Sequence, residues 1–191
     1  MKVIQLYKQE SELIKRALKN NREAQHVLFE MHAPKMLSVC RYYIKDLQQA
    51  EEAMLNGFFK VFTQLKTFRN EGSFEGWIRR IMVRESLSYL RSKRSFEQLE
   101  DHVSELADVE YLETSLVESQ WNASDIQQLI DSLPDGYRAV FVMYAIEGYK
   151  HHEIAELLNI SEGTSKSQLF KARKLLQQQM VKLKNIENGT H

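Results

Sequence analysis

The sequence predicts an all-α protein: two small helical domains joined by an acidic flexible linker, the C-terminal one a helix-turn-helix. Three observations carry that reading. Two prolines, Pro34 and Pro134, and seven glycines are spread over 191 residues, too few breakers for a fold of many short elements. Apolar residues recur at helical rather than alternating spacing. Charge is partitioned along the chain. Residues 1–94 carry 18 Lys+Arg against 10 Asp+Glu, residues 95–120 carry none against eight, and residues 121–191 carry eight against eight. The formal net charge of zero thus hides a basic half followed by a purely acidic segment. The expected organisation is a first domain over 1–94, a linker over 95–120 and a second domain over 121–191.

Leu13, Ala17 and Leu18 give the first helical face. Leu28, Met31, Met36, Val39, Cys40 and Tyr43 continue the pattern around Pro34. Met54, Phe58, Val61, Phe62 and Leu65 follow i, i+4, i+7, i+8, i+11 spacing, the signature of an amphipathic helix. Next, Trp77, Ile81, Arg84 and Ser88 share one helical stripe, and Ile78, Met82, Leu87 and Leu90 supply an apolar one. About four helices therefore precede Arg94, and four shorter ones follow the linker. Asn122 or Ser124 suits the N-cap of the first of these. Leu133-Pro134-Asp135-Gly136 is a turn, the following helix includes Tyr137, Val140, Phe141 and Tyr144, and Gly148 closes it as a C-cap glycine.

Several function classes are excluded or weakened. No stretch approaches the roughly 18 apolar residues of a membrane span. The N-terminus turns charged at Lys8, Glu10 and Glu12, unlike a secretory signal. Cys40 is the only cysteine and reads as a small core residue in a reducing, cytoplasmic setting. No phosphate loop, nucleophile elbow or metal-spaced cluster is present. His151-His152-Glu153 is too compact for a helical metalloprotease motif and reads as the surface start of a helix. The expectation is a cytoplasmic protein, not an enzyme, with no cofactor, no metal and no direct membrane insertion. RNA-binding modules usually show sheet-borne aromatics or glycine signatures that are missing here.

Residues 149–176, YKHHEIAELLNISEGTSKSQLFKARKLL, are the most informative segment. Ile154, Ala155, Leu157 and Leu158 form the inward face of a short helix. Asn159-Ile160-Ser161 makes a tight turn, and Ser161 suits the N-cap of the next helix. There Ser165, Leu169, Ala172 and Leu176 share one face, while Lys166, Ser167, Phe170, Lys171 and Lys174 point the other way. A helix-turn-helix needs that division: one face packs and the other enters the major groove. Lysines meet phosphates or guanine edges, and Ser167 and Phe170 suit base edges and thymine methyls.

Residues 133–176 as a whole resemble the promoter −35-binding region of extracytoplasmic-function sigma factors. That family usually has a small apolar residue at the place of Ser165 and often arginine at Gln168. Residues 26–94 resemble the same family's core-binding and −10-binding region. Ala50 to Phe62, AEEAMLNGFFKVF, is similar to its polymerase-docking helix, which implies that Glu51, Glu52, Asn56 and Phe59 meet the polymerase. Glutamine and an acidic residue usually stand where this chain has Leu55 and Asn56. Phe68 to Ile81, FRNEGSFEGWIRRI, interleaves aromatics with arginines, and Arg84, Arg91, Lys93 and Arg94 follow. Bases of an opened strand need π-faces, and its phosphates need cations. The resemblance implies that this region opens the −10 element and holds a flipped base, with Trp77, Arg80, Arg84, Arg91 and Arg94 on the DNA. An alternative places Phe74 and Trp77 in the core. Where Arg84 and Ser88 stand, the family commonly has asparagine and aspartate.

The resemblance further implies two obligatory partners, core RNA polymerase and promoter DNA, and regulation by sequestration on an anti-sigma factor. A conventional duplex-binding regulator is the competing reading, and it leaves the aromatic-basic N-terminal segment unexplained.

Overall fold

The computed structural model describes residues 2–93 and 122–188, with side chains over 9–93 and 122–182. The linker expected over 95–120, with its boundaries, and Arg94 lie outside the described residues. Every regular element among the described residues is helical. The chain divides into two compact units, Met1–Tyr89 and Leu90–His191.

The first unit is built from α1 (Lys2–Leu18), α2 (Arg22–Tyr43), α3 (Leu47–Thr63), a 3₁₀ turn (Leu65–Thr67) and α4 (Phe74–Ser92), whose last three residues run past the unit boundary. Caps set the starts of two helices. The Asn21 side chain accepts from the Ala24 N–H at 2.8 Å, and that of Asp46 from the Gln49 N–H at 2.9 Å; such caps each contribute about 1 kcal/mol. Pro34 lies inside α2 without ending it. α2 packs against both α1 and α3. Leu28, Met36, Val39, Cys40, Tyr43, Ala50, Phe58, Val61, Ile78, Met82 and Leu87 fill the core. Gly57 marks the close approach of α3 to α4: a Cβ there would collide with Met82 Sδ. Across the same seam Lys60 Nζ meets Glu85 Oε1 at 2.6 Å.

α5 (Ala123–Ser132), α6 (Asp135–Phe141), a π-helical turn (Val142–Ile146), α7 (His151–Leu158) and α8 (Glu162–Asn188) make up the helices of the second unit. Asn122 caps α5 through a reciprocal pair. Its side chain accepts from the Ser124 and Asp125 N–H groups, and Asp125 accepts from the Asn122 N–H at 3.0 Å. α8 is the spine against which α5, α6 and α7 pack. Four α-helices are present as expected and three of them are short, but α8 is not: it has 27 residues. The helix expected to run through Tyr144 also changes character, passing into the π turn after Phe141. There the Glu147 N–H donates to the Val142 carbonyl at 3.0 Å, five residues back. Gly148 then reverses the chain at φ 77°, a conformation that costs glycine little. Arg138, only 1% exposed, is satisfied by Asp135 at 2.6 Å and by the Leu133 carbonyl at 3.3 Å.

Candidate nucleic-acid interface

Between the 3₁₀ turn and α4 the backbone turns sharply, with positive φ at Asn70 (58°) and Gly72 (107°). Ser73 starts α4 by accepting from the Gly76 N–H at 3.0 Å. This places Phe68, Phe74 and Trp77 together. Phe74 stacks on Trp77 with centroids 5.8 Å apart and planes at 21°, and Phe68 lies 5.2 Å from Phe74 and 5.5 Å from Trp77. Phe74 is buried and belongs to the core, whereas Trp77 is half-buried at its edge. Phe74 thus takes the core position, while Trp77 keeps part of its ring accessible.

A concavity of about 220 Å³ opens beside them, lined by Phe68, Arg69, Glu71, Ser73, Trp77 and Arg80 among others. Two aromatic walls and two arginines are the chemistry that a planar ring attached to an anionic chain would require. Arg80, Arg84 and Arg91 are exposed. At 3.6 residues per turn they share one face of α4 with Trp77. Ile81, on the same helical stripe as Trp77 and Arg84, is buried at 8% exposure.

On α3, Glu51, Glu52, Leu55, Asn56 and Phe59 are exposed, and Phe59 is the most exposed large apolar residue among those described, at 71%. This face combines carboxylates with an uncovered ring. An exposed phenyl group is costly to hydrate and well suited to a protein contact.

In the second unit the turn between α7 and α8 is fixed by Asn159 in the left-handed region at φ 55°. The Ile160 N–H donates to the Ala155 carbonyl at 3.0 Å, and Ser161 Oγ caps α8 by accepting from the Thr164 N–H at 2.9 Å. Ser165, Leu169 and Ala172 are buried on the inner face of α8, with Leu176 half-buried. Lys166, Phe170 and Lys174 are exposed on the outer face; Ser167 and Lys171 are half-buried. The Ser167 hydroxyl donates to the Thr164 carbonyl at 3.0 Å, so it is free to accept from a base but not to donate without breaking that bond.

Three features of this unit escaped the sequence reading. Gln168 faces inward at 7% exposure. His151, read as a surface residue, is half-buried with Nδ1 2.9 Å from Ser165 Oγ, while His152 is exposed. Arg173, on the same helix as the lysines, places its guanidinium 5.7 Å from the centroid of the Tyr144 ring. The alternation of lysine and arginine at 171, 173 and 174 was a usable signal for the last of these. The first two depend on how the helices cross. Among the described residues there is no group of side chains suited to a metal ion and no helix long and apolar enough to cross a membrane.

Residues 28–96 match the family model for sigma-70 region 2, and residues 123–176 match that for sigma-70 region 4. The chain belongs to the sigma-70 family. Its relatives include the RNA polymerase sigma factor SigV of Bacillus subtilis, 26% identical over 73% of this chain and 81% of that one. The ECF RNA polymerase sigma factor SigW of the same organism is 26% identical over 87% of this chain and 94% of its own length. Among solved structures, the sigma factor RpoE of Bartonella quintana, crystallised with the anti-sigma factor NepR, covers 80% of this chain at a TM-score of 0.50 and 16% identity. The protein is a sigma factor of the extracytoplasmic-function group, a promoter-specific transcription initiation factor.

Proposed function

We propose that this sigma factor divides its work among three surfaces. The exposed face of α3, with Glu51, Glu52, Asn56 and Phe59, docks on core RNA polymerase. The concavity beside Trp77 receives an unstacked base of the −10 element, while Arg80, Arg84, Arg91 and Arg94 follow the strand's phosphates. The outer face of α8, with Lys166, Ser167, Phe170, Lys171 and Lys174, enters the major groove at −35. The protein catalyses no reaction of its own; it works in the cytoplasm, where the polymerase is.

One observation carries the reading: a single chain holds an aromatic concavity suited to an opened strand and a basic helix suited to a closed duplex. A regulator that only binds duplex DNA has no use for the first. Sequestration by an anti-sigma factor is also part of the proposal. The crystal structure of the related fold from Bartonella quintana contains an anti-sigma factor, and a protein of that class would need to cover the Phe59 face or the lysine face of α8.

The test is reconstituted run-off transcription with purified core polymerase. Transcripts from a cognate promoter should require this protein, and its own DNA affinity without polymerase should be weak and fall with salt. Equal transcription without it refutes the proposal.

A further inference from the structure

His151, at the start of α7, touches α8 directly at one point and is linked to a second through Tyr144. Its Nδ1 lies 2.9 Å from Ser165 Oγ. Its ring stacks on Tyr144 of the π turn, with centroids 4.7 Å apart and planes at 24°. Tyr144 in turn carries Arg173 of α8 over its ring at 5.7 Å. Ser165 and Arg173 are eight residues apart, roughly 12 Å along the helix axis. The His151–Tyr144 stack therefore spans a closed loop that touches α8 near its N-terminus and again two turns later.

The other contacts on the inner face of α8 are less directional. Ala172 offers a single methyl group, and Leu169 buries an aliphatic side chain; apolar burial resists separation but tolerates small slides and rotations. A hydrogen bond does not, because it weakens steeply with distance and angle. Ser165 is fully buried and immediately precedes Lys166, the first lysine of the outer face. A rotation of α8 about its axis re-aims Lys166, Phe170 and Lys174 together.

We propose that His151 is a positioning residue for promoter recognition: through the Ser165 hydroxyl it fixes the rotation of α8 and so sets which −35 bases the outer face selects. The inference rests on the reading that α8 recognises the −35 element. A pair of this kind is satisfied only as a pair. The family's usual small apolar residue at position 165 would remove the bond, and a ring without Nδ1 would strand the buried hydroxyl.

The experiment measures run-off initiation by the full chain with core polymerase. It compares the preferred −35 sequence with a set carrying single base changes. The proteins are wild type, Ser165→Ala, His151→Phe, the double variant and Lys166→Ala. Ser165→Ala removes one oxygen and keeps the packing, and His151→Phe keeps the stack on Tyr144. Each should change the ratio of initiation between preferred and altered −35 sequences by about five-fold, the factor carried by one ordinary hydrogen bond. The double variant should change it no more than either single one. A −35 ratio unchanged in both single variants overturns the inference, even if total initiation or melting temperature falls. Additive changes in the double variant also overturn it. Lys166→Ala separates the two levels. If it leaves −35 preference untouched, the −35 assignment of α8 fails; if it shifts preference while the His151 and Ser165 variants do not, only the positioning role fails.

Discussion

His32 Nε2 lies 2.9 Å from Glu10 Oε1, with the two side chains only 7% and 15% exposed. The pair joins α1 to α2, and it does more than hold two helices. The His32 ring meets Phe74 edge-on at 5.6 Å, and Phe74 is the ring on which Trp77 stacks. A carboxylate on the first helix is thus linked by three contacts to the wall of the base-sized concavity. Glu10→Ala strands a buried ring nitrogen, which costs about 1–3 kcal/mol. The urea midpoint of the full chain should fall accordingly at unchanged slope; an unchanged midpoint contradicts the role given to the pair.

Trp77→Ala should leave polymerase binding and −35 recognition intact and impair strand opening. Base-on-aromatic stacking contributes about 1–3 kcal/mol per base, so opening should fall by roughly 5- to 150-fold at limiting stability of the open complex. Permanganate reactivity of the −10 thymines reads this directly. Normal reactivity in the variant would remove Trp77 from the −10 site.

The second unit should lose stability in mild acid. Burial lowers the pKa of the His151 imidazole below its ordinary value of 6.5; Lys166 and Arg173 push the same way, and Glu162 opposes them. The fold therefore favours the neutral ring. Its contribution is complete above pH 6.5 and is lost as pH falls from there toward the lowered folded value. Thermal melts from about pH 8 to about pH 5 should show a decline in that window that His151→Phe lacks. Equal declines in both proteins contradict the assignment.

Cys40 should be inert in the native protein. It is fully buried, and desolvation pushes its thiol up to about 11. The thiolate is the reactive form, so alkylation at neutral pH should proceed only after unfolding. Stoichiometric labelling of the folded chain would contradict this.

Local chemistry was legible in the sequence where neighbours in the chain decide the outcome. Ser161 caps α8, Asn122 caps α5 and the apolar stripe of α3 is buried as its spacing requires. The division of α8 into inner and outer faces followed from the same periodicity. The length of α8 was legible but overlooked: no proline or glycine stands between Gly163 and Gly189. Other features are set by tertiary contact. Glu10 and His32 are 22 residues apart, and no local pattern pairs them. His151 looked like a solvated residue because its partner, Ser165, lies across the turn on another helix. The π turn replaces ordinary helix at residues whose local propensities give no sign of it. Trp77 was undecided in the sequence because one aromatic-rich segment supplies both the core ring and the wall of the concavity.

On the proposed function, two separate surfaces read two separate promoter elements. The most direct measurement is selection from a promoter library randomised in both elements, transcribed by core polymerase with wild type, Lys166→Ala or Trp77→Ala and read by sequencing the transcripts. Lys166→Ala should alter base preference in the −35 element alone, and Trp77→Ala should alter it in the −10 element alone. A variant that shifts both elements together, or a pair of variants that shift neither, would contradict the proposed function.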